Sequence, residues 1–272
     1  MTGAGPTPPA AGPRPGPLAG RRVIVTRARA QSPELVRLLS EAGARPIELP
    51  VIEIADPADE GAALRAALAR IGEFDWVVFT SANAVDRSLH DPGGAASLGR
   101  ARVAAIGPGT AEALAALGIE TDLVPSRYVA EALVEAFPPP SRPGSGAVLL
   151  PCAAGAREVT ALGLRAKGWK VEVVEAYRTV QPVLSAGDAR AAGSAGEADV
   201  VTFTSSSAVT AYLELVGEDA VPPVVACIGP VTAKTASEAG LGVDIVAPVH
   251  TARGLVDALV EWAGRVASGD QE

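Results

Sequence analysis

Four short segments of this 272-residue chain concentrate small hydroxyl side chains and glycine: Thr80-Ser81-Ala82-Asn83, Gly107-Pro108-Gly109-Thr110, Thr204-Ser205-Ser206-Ser207 and Gly229-Pro230-Val231-Thr232. Each follows an apolar run and leads into a helical pattern. A helix start offers free N–H groups and the positive end of the helix dipole, so it attracts acid groups without needing a cationic side chain. Ser, Thr, Asn and Gly are also ordinary helix caps, and any one of these segments alone is explained that way. Four of them in two matched pairs point instead to two facing sets of donors that bind an acidic ligand. The candidate contacts are Thr80, Ser81, Asn83, Thr110, Thr204, Ser205, Ser206 and Thr232.

Other chemistry finds little support. The two histidines, His90 and His250, fall in loop-like stretches and read as solvated, which argues against a Ser-His-Asp triad. The two cysteines, Cys152 and Cys227, form no CxxC pair and read as buried thiols. No cluster shows metal-ligand spacing. There is no GxxxxGK[ST] loop and no GxSxG elbow. Gly107-x-Gly109 begins like a dinucleotide fingerprint, but Glu112 stands where a third small residue is needed, and Val231 replaces the second glycine in the later copy. The expectation is a site without metal or cofactor, working by orientation and electrostatics.

The elements that would position these segments follow from periodicity. Arg22–Thr26, Trp76–Phe79 and Val103–Ile106 read as short apolar strands, the second of them apolar throughout, and short apolar strands alternating with helices mark parallel strands covered on both faces. Ser32-Pro33-Glu34 reads as a helix start with Ser32 as cap, and Gly43 as its stop. Leu64–Ile71 reads as a helix, and 46–54 as extended chain. The order then recurs. FDWVVFTSANAV (74–85) matches ADVVTFTSSSAV (198–209), and RVAAIGPGTAEALAALGI (102–119) matches VVACIGPVTAKTASEAGL (224–241). Residues 124–137 match 247–262, and 23–49 match 148–174 more loosely. The chain is thus read as two copies of one α/β unit, with loops at 138–146 and 185–198.

Composition fits. At about 150 residues per domain the length allows two. The chain is 48% hydrophobic but only 4% aromatic, so the core is aliphatic. The net charge of −8 gives no footprint for nucleic acid. No apolar run spans a bilayer, and the Pro/Gly-rich start, expected to be disordered over 1–19, has no signal-peptide core. The expectation is a cytoplasmic protein with no nucleic-acid or membrane partner.

With these pieces assembled, the sequence resembles the uroporphyrinogen-III synthase family over about residues 20–263. The resemblance rests on VTR (25–27), LPVIEI (49–54), FTSANAV (79–85), AIGPGTAEAL (105–114), EAYRT (175–179), FTSSSAV (203–209), CIGPVTAKTA (227–236) and ARGLVDAL (252–259), taken in order and spacing. It implies an α/β fold of two flavodoxin-like parallel-sheet domains joined by a two-stranded linker, with a cleft between them. One domain would comprise 20–45 with 181–264, the other 55–169. The linker strands would be 46–54 and 170–180, with a C-terminal tail at 265–272. The implied activity is closure of hydroxymethylbilane, a linear tetrapyrrole with eight carboxylates, to uroporphyrinogen III with inversion of ring D, without a cofactor and as a monomer.

The resemblance also implies roles. Tyr177, in EAYRT, aligns with a cleft tyrosine that helps the hydroxyl leave. Thr110 and Thr232 align with the threonines of the two IGPxT loops, and Arg27 ends the first strand where a carboxylate arm would come. Ser126, with Arg127, and Arg157 are further contacts of lesser weight. Two other readings stay open: a non-enzymatic small-molecule binding protein of periplasmic type, and an interaction module that kept the fold after losing activity.

Overall fold

The computed structural model describes residues 16–90 and 98–268. Their strands form two five-stranded sheets. The first holds β1 (Arg22–Val25), β2 (Arg45–Glu48), β8 (Val200–Phe203), β9 (Val224–Cys227) and β10 (Ile245–Val246), in the order β10-β9-β8-β1-β2 and all parallel. The second holds β3 (Glu53–Ala55), β4 (Trp76–Phe79), β5 (Arg102–Ala105), β6 (Ala147–Ala153) and β7 (Lys170–Val180), in the order β3-β7-β6-β4-β5. Only β3 runs antiparallel, against the end of β7.

The apolar strands are covered on both faces, as continuous Val/Ile/Phe runs require. Successive side chains alternate. Val23 and Val25 pack under α1 (Ser32–Glu41) and α10 (Ala252–Ser268) through Leu35, Leu39, Leu255 and Leu259. Ile24, Val201 and Phe203 face the other way, against α8 (Ser206–Val216) and α9 (Pro230–Glu238) through Val209, Tyr212 and Ala236. In the second sheet Val77 and Phe79 meet α2 (Ala62–Leu68), α3 (Ala82–Leu89) and α4 (Pro108–Ala116). Trp76 and Val78 meet α5 (Ala130–Ala136) and α6 (Val159–Ala166). Gly43 and Gly118 follow α1 and α4 at φ +91 and +75, where the chain leaves a helix through the left-handed region.

The chain crosses between sheets twice. Of the segments expected to link the halves, 46–54 gives its first residues to β2 at the edge of sheet one, and most of 170–180 pairs in parallel with β6. What joins the sheets is a short antiparallel ladder, Glu53–Ala55 against Arg178–Val180. A register shift at Cys152/Ala153 sets Cys152 opposite Glu175 and Ala153 opposite Tyr177. The extra residue, Ala176, makes a bulge, which re-aims the strand. Ala176 and Tyr177 accordingly both join the same core cluster.

Several local expectations change. Ser32 does not cap α1: a 3-10 turn, Arg29–Gln31, runs straight into the helix, and the Ser32 hydroxyl instead meets the Glu48 carboxylate and the Arg29 carbonyl. The expected helix 64–71 ends at Leu68 and is followed by a 3-10 turn, Ile71–Glu73. The expected loop 185–198 contains α7 (Ala186–Gly193), started by a capping box in which Ser185 and Asp188 each bond the other's backbone N–H. The Pro/Gly-rich start is not uniformly a tail: Leu18 is fully buried among Val23 and Leu35, and its N–H donates to the Ala42 carbonyl. At the other end, residues 265–268 continue α10. Expectations about 1–15 and 269–272 lie outside the described residues.

Candidate functional site

A cavity of about 620 Å³ opens between the carboxyl ends of the two sheets, where parallel α/β proteins hold ligands. Residues after β1, β4, β5, β8 and β9 all contribute to its wall. The starts of α3, α4, α8 and α10 therefore converge on one space. Ser81 accepts a hydrogen bond from Ala84 N–H at 3.1 Å and so begins α3. Ser205 does the same for α8 from Ala208 N–H at 3.2 Å. Pro108 at the first turn of α4 removes an N–H that no helix would use.

Tyr177 lies in this wall, 7% exposed, with its hydroxyl 3.0 Å from Ser81 Oγ. Burial pushes the phenol pKa above its ordinary value, while hydrogen bonds to Ser81 and Asn83 pull it partly back. At neutral pH the group is a protonated donor. Gln31, in the 3-10 turn after β1, donates from Nε2 to Asn83 Oδ1, a contact from one lobe to the other. A chain of polar groups thus runs Gln31–Asn83 and Ser81–Tyr177 along one wall.

The cavity is not a cationic funnel. Arg27 lines it, half-buried, and burial lowers its pKa, with the Glu34 carboxylate opposing that shift. Glu34 and Glu112 line it too, and the Glu112 carboxyl is raised first by burial and then by Glu34. One guanidinium against two carboxylates leaves anion binding to N–H groups and helix dipoles. Among the described residues no group of three His, Cys, Asp or Glu side chains could hold a metal.

The other sequence candidates distribute as follows. Arg27, Ser81, Asn83, Thr110, Thr204, Ser205 and Tyr177 line the cavity. Thr80 and Arg157 line a second cavity of about 450 Å³ beside the end of β6, with Cys152, Thr160 and Glu175. Ser206 turns away to bond Thr235 Oγ1 at 2.7 Å, because its place in the first turn of α8 points it at α9. Thr232 is buried in the first turn of α9 and does not reach the cavity. Ser126 is exposed and lines neither cavity, and neighbouring Arg127 is spent on an ion pair with Glu135 at 3.0 Å. Both cysteines are free and buried, and burial pushes the Cys227 thiol up to about 12.

Sequence reasoning missed Gln31, Glu34, Glu112, Tyr128 and His250, all in the cavity wall. His250 is half-buried there rather than solvated, and burial lowers its pKa, which favours neutral imidazole. One signal was available for the last two. Tyr128 and His250 each stand two residues before the helix that begins at Ala130 or Ala252.

Two sheets of parallel strands, joined by a three-residue antiparallel ladder, face each other across a cleft lined with helix starts and hydroxyls. The family model for uroporphyrinogen-III synthase HemD matches residues 33–257, and the chain belongs to that family. It is 34% identical to uroporphyrinogen-III synthase of Synechococcus elongatus, covering 91% of this chain and 97% of that protein. It is 33% identical to the putative uroporphyrinogen-III synthase of Methanothermobacter thermautotrophicus over 89% of this chain and 98% of that one. Its fold is similar to the crystal structure of a mutant uroporphyrinogen III synthase from Thermus thermophilus, at TM-score 0.61 and 20% identity, over 91% of this chain and all of that one.

Proposed function

We propose that this chain is a cyclising hydro-lyase, converting hydroxymethylbilane to uroporphyrinogen III with inversion of ring D. Loss of the hydroxyl as water leaves an azafulvene cation. The substituted carbon of ring D attacks it, and the spiro-pyrrolenine so formed fragments and re-closes with ring D reversed. The unassisted closure gives the non-inverted isomer, so the protein's task is to fold the chain so that the spiro closure comes first. The observation that carries this reading is Tyr177: a buried, protonated phenol tied to Ser81 and set by the β7 bulge in the wall of the inter-lobe cavity.

In this reading Tyr177 donates a proton to the departing hydroxyl, directly or through water, and is reprotonated by the proton released when the re-closed ring D regains its aromaticity. Arg27, Thr80, Ser81, Asn83, Thr110, Arg157, Thr204 and Ser205 hold carboxylate arms, aided by the first-turn N–H groups of α3, α4 and α8. Walls of Ile52, Ile54 and Ile106 limit water around the cation. A four-ring substrate with eight carboxylates exceeds what a 620 Å³ space encloses, so the lobes separate to admit it and close again. The moving units would be 20–45 with 181–264 and 55–169, hinged at 46–54 and 170–180. The protein would act in the cytoplasm as a monomer without a cofactor.

The test is one assay. Hydroxymethylbilane is generated in situ, the protein is added, and the products are oxidised and separated by isomer. Isomer III is expected above the spontaneous background; isomer I alone overturns the proposal.

A further inference from the structure

We propose that Tyr128 and His250 are positioning residues that set the spacing of the helix starts between which the substrate folds, an inference that rests on the function proposed above. Each ring packs on the glycine that begins a helix of its own lobe. A Cβ at Gly107 would lie 3.0 Å from Tyr128 Cβ and 3.2 Å from its Cγ. A Cβ at Gly229 would lie 3.1 Å from the His250 ring. Both glycines are fully extended, at φ −174 and −176, a conformation open to any residue. A side chain at either place would press on the facing aromatic residue and push it back by a few tenths of an ångström, so glycine lets the two aromatic side chains pack close.

The rings also meet each other. Their centroids are 5.1 Å apart with planes at 83°, an edge-to-face pair whose members come from different lobes. The His250 carbonyl oxygen extends the crossing, 3.2 Å from where a Cβ on Gly109 would stand. The resulting series, Gly107–Tyr128–His250–Gly229, connects the first turn of α4 to the first turn of α9. It also fixes α10, which starts at Ala252, two residues after His250. Nothing in the series needs a proton or a charge; the ring shapes do the work. When the lobes close on a folded substrate, this contact sets how far apart the N–H groups of the two lobes come to rest.

The experiment has two arms. In the first, His250→Leu, His250→Phe, Tyr128→Leu, Tyr128→Phe and the double Leu variant are compared for kcat/KM and for the ratio of isomer III to isomer I. The Leu variants should lose kcat/KM and release more isomer I, while the Phe variants keep most of both. The double variant should be less impaired than the product of the singles by about three- to tenfold. Multiplicative effects, or a His250→Phe variant as poor as His250→Leu, would overturn the proposal, the latter by assigning the role to the imidazole. In the second arm, spin labels are placed at Glu131→Cys and Asp257→Cys, exposed sites on α5 and α10, and their distance distribution is measured without substrate. Leu at position 250 should broaden it and Phe should not; an unchanged distribution overturns the proposal. This arm needs no turnover, so it judges the ring contact even if the wild-type protein makes no isomer III.

Discussion

The loops Thr80–Asn83 and Thr204–Ser207 share a backbone and differ in their partners. Ser81 sits at φ −162, ψ 154 and Ser205 at φ −160, ψ 157, and each accepts from the N–H three residues on. Beyond the cap they diverge. Ser81 reaches Tyr177 on β7, and Asn83 reaches Gln31 in the opposite lobe. Ser205 turns to Ser207 in its own loop at 3.0 Å, and Ser206 turns to Thr235 on the adjacent helix. Both loops line the cavity, but the first ties its side chains to the β7 tyrosine and to the opposite lobe, whereas the second bonds within its own loop and to its neighbouring helix. Capping is what the fold needs from both, whereas the chemistry depends on which strand lies opposite.

Substitutions can break or sharpen this contrast. The largest effect is expected at Tyr177. Tyr177→Phe should lower kcat by about ten- to a hundredfold without abolishing it, with thermal stability nearly unchanged. Wild-type kcat in the variant would remove the phenol from the reaction. Because burial raises the phenol pKa, it should ionise in the folded protein only above the ordinary tyrosine range. Its contribution to stability is then complete below the unfolded pKa and lost as pH rises through the folded one, which a spectroscopic titration against Tyr177→Phe measures.

Next in size is the paired comparison of the caps. Ser81→Ala and Ser205→Ala should each cost about 1 kcal/mol in urea unfolding, since both remove a cap. Only Ser81→Ala should also reduce kcat, by about tenfold, through the lost partner of Tyr177. Equal effects on turnover would erase the distinction between the loops. A smaller effect belongs to the cross-lobe contact. Gln31→Ala and Asn83→Ala should each raise KM about two- to fivefold, with the double variant no worse than Asn83→Ala alone. Additive effects in KM would show that the two side chains act apart.

The smallest effect falls at a contact held wholly within one lobe. Asp188 is held below the ordinary carboxylate range by the Ser185 backbone N–H, then by the Ser185 hydroxyl and by Arg29. The stability this gives is present above the unfolded carboxyl pKa and disappears as pH falls through the folded one. Asp188→Asn should therefore lower the melting temperature slightly at neutral pH and leave it unchanged in acid. A constant difference across that range would assign the effect to packing instead.

The strands and the helix starts that follow them were legible because their cause is local: an apolar run of four, then a cap, then a helical stripe. The tyrosine's surroundings were not. Tyr177 reaches Ser81 across 96 residues, and only the pairing of β6 with a bulged β7 brings them together. The roles of His250 and Tyr128 were hidden for the same reason, since their meaning lies in the facing lobe. Two misreadings were local. Residues 185–198 looked like a loop because Ala and Gly dominate, although Ser185-x-x-Asp188 spelled a capping box. Leu18 looked like part of a tail because its neighbours are Gly and Pro, yet it fills a place beside Val23.

The way the sheets are threaded also bears on how the chain is made. Sheet two is complete within residues 53–180, but β1 in sheet one pairs with β8, whose first partner for Val23 is Val200. During synthesis the second lobe has all its strands while the first still lacks three of five. Until then β1 is paired on one edge by β2 and covered on one face by α1, and its other edge waits for β8 some 180 residues later in the chain. Order of synthesis and order of assembly are therefore opposed for β1, and the ladder of Glu53–Ala55 with Arg178–Val180 is where the early-finished lobe hands the chain back.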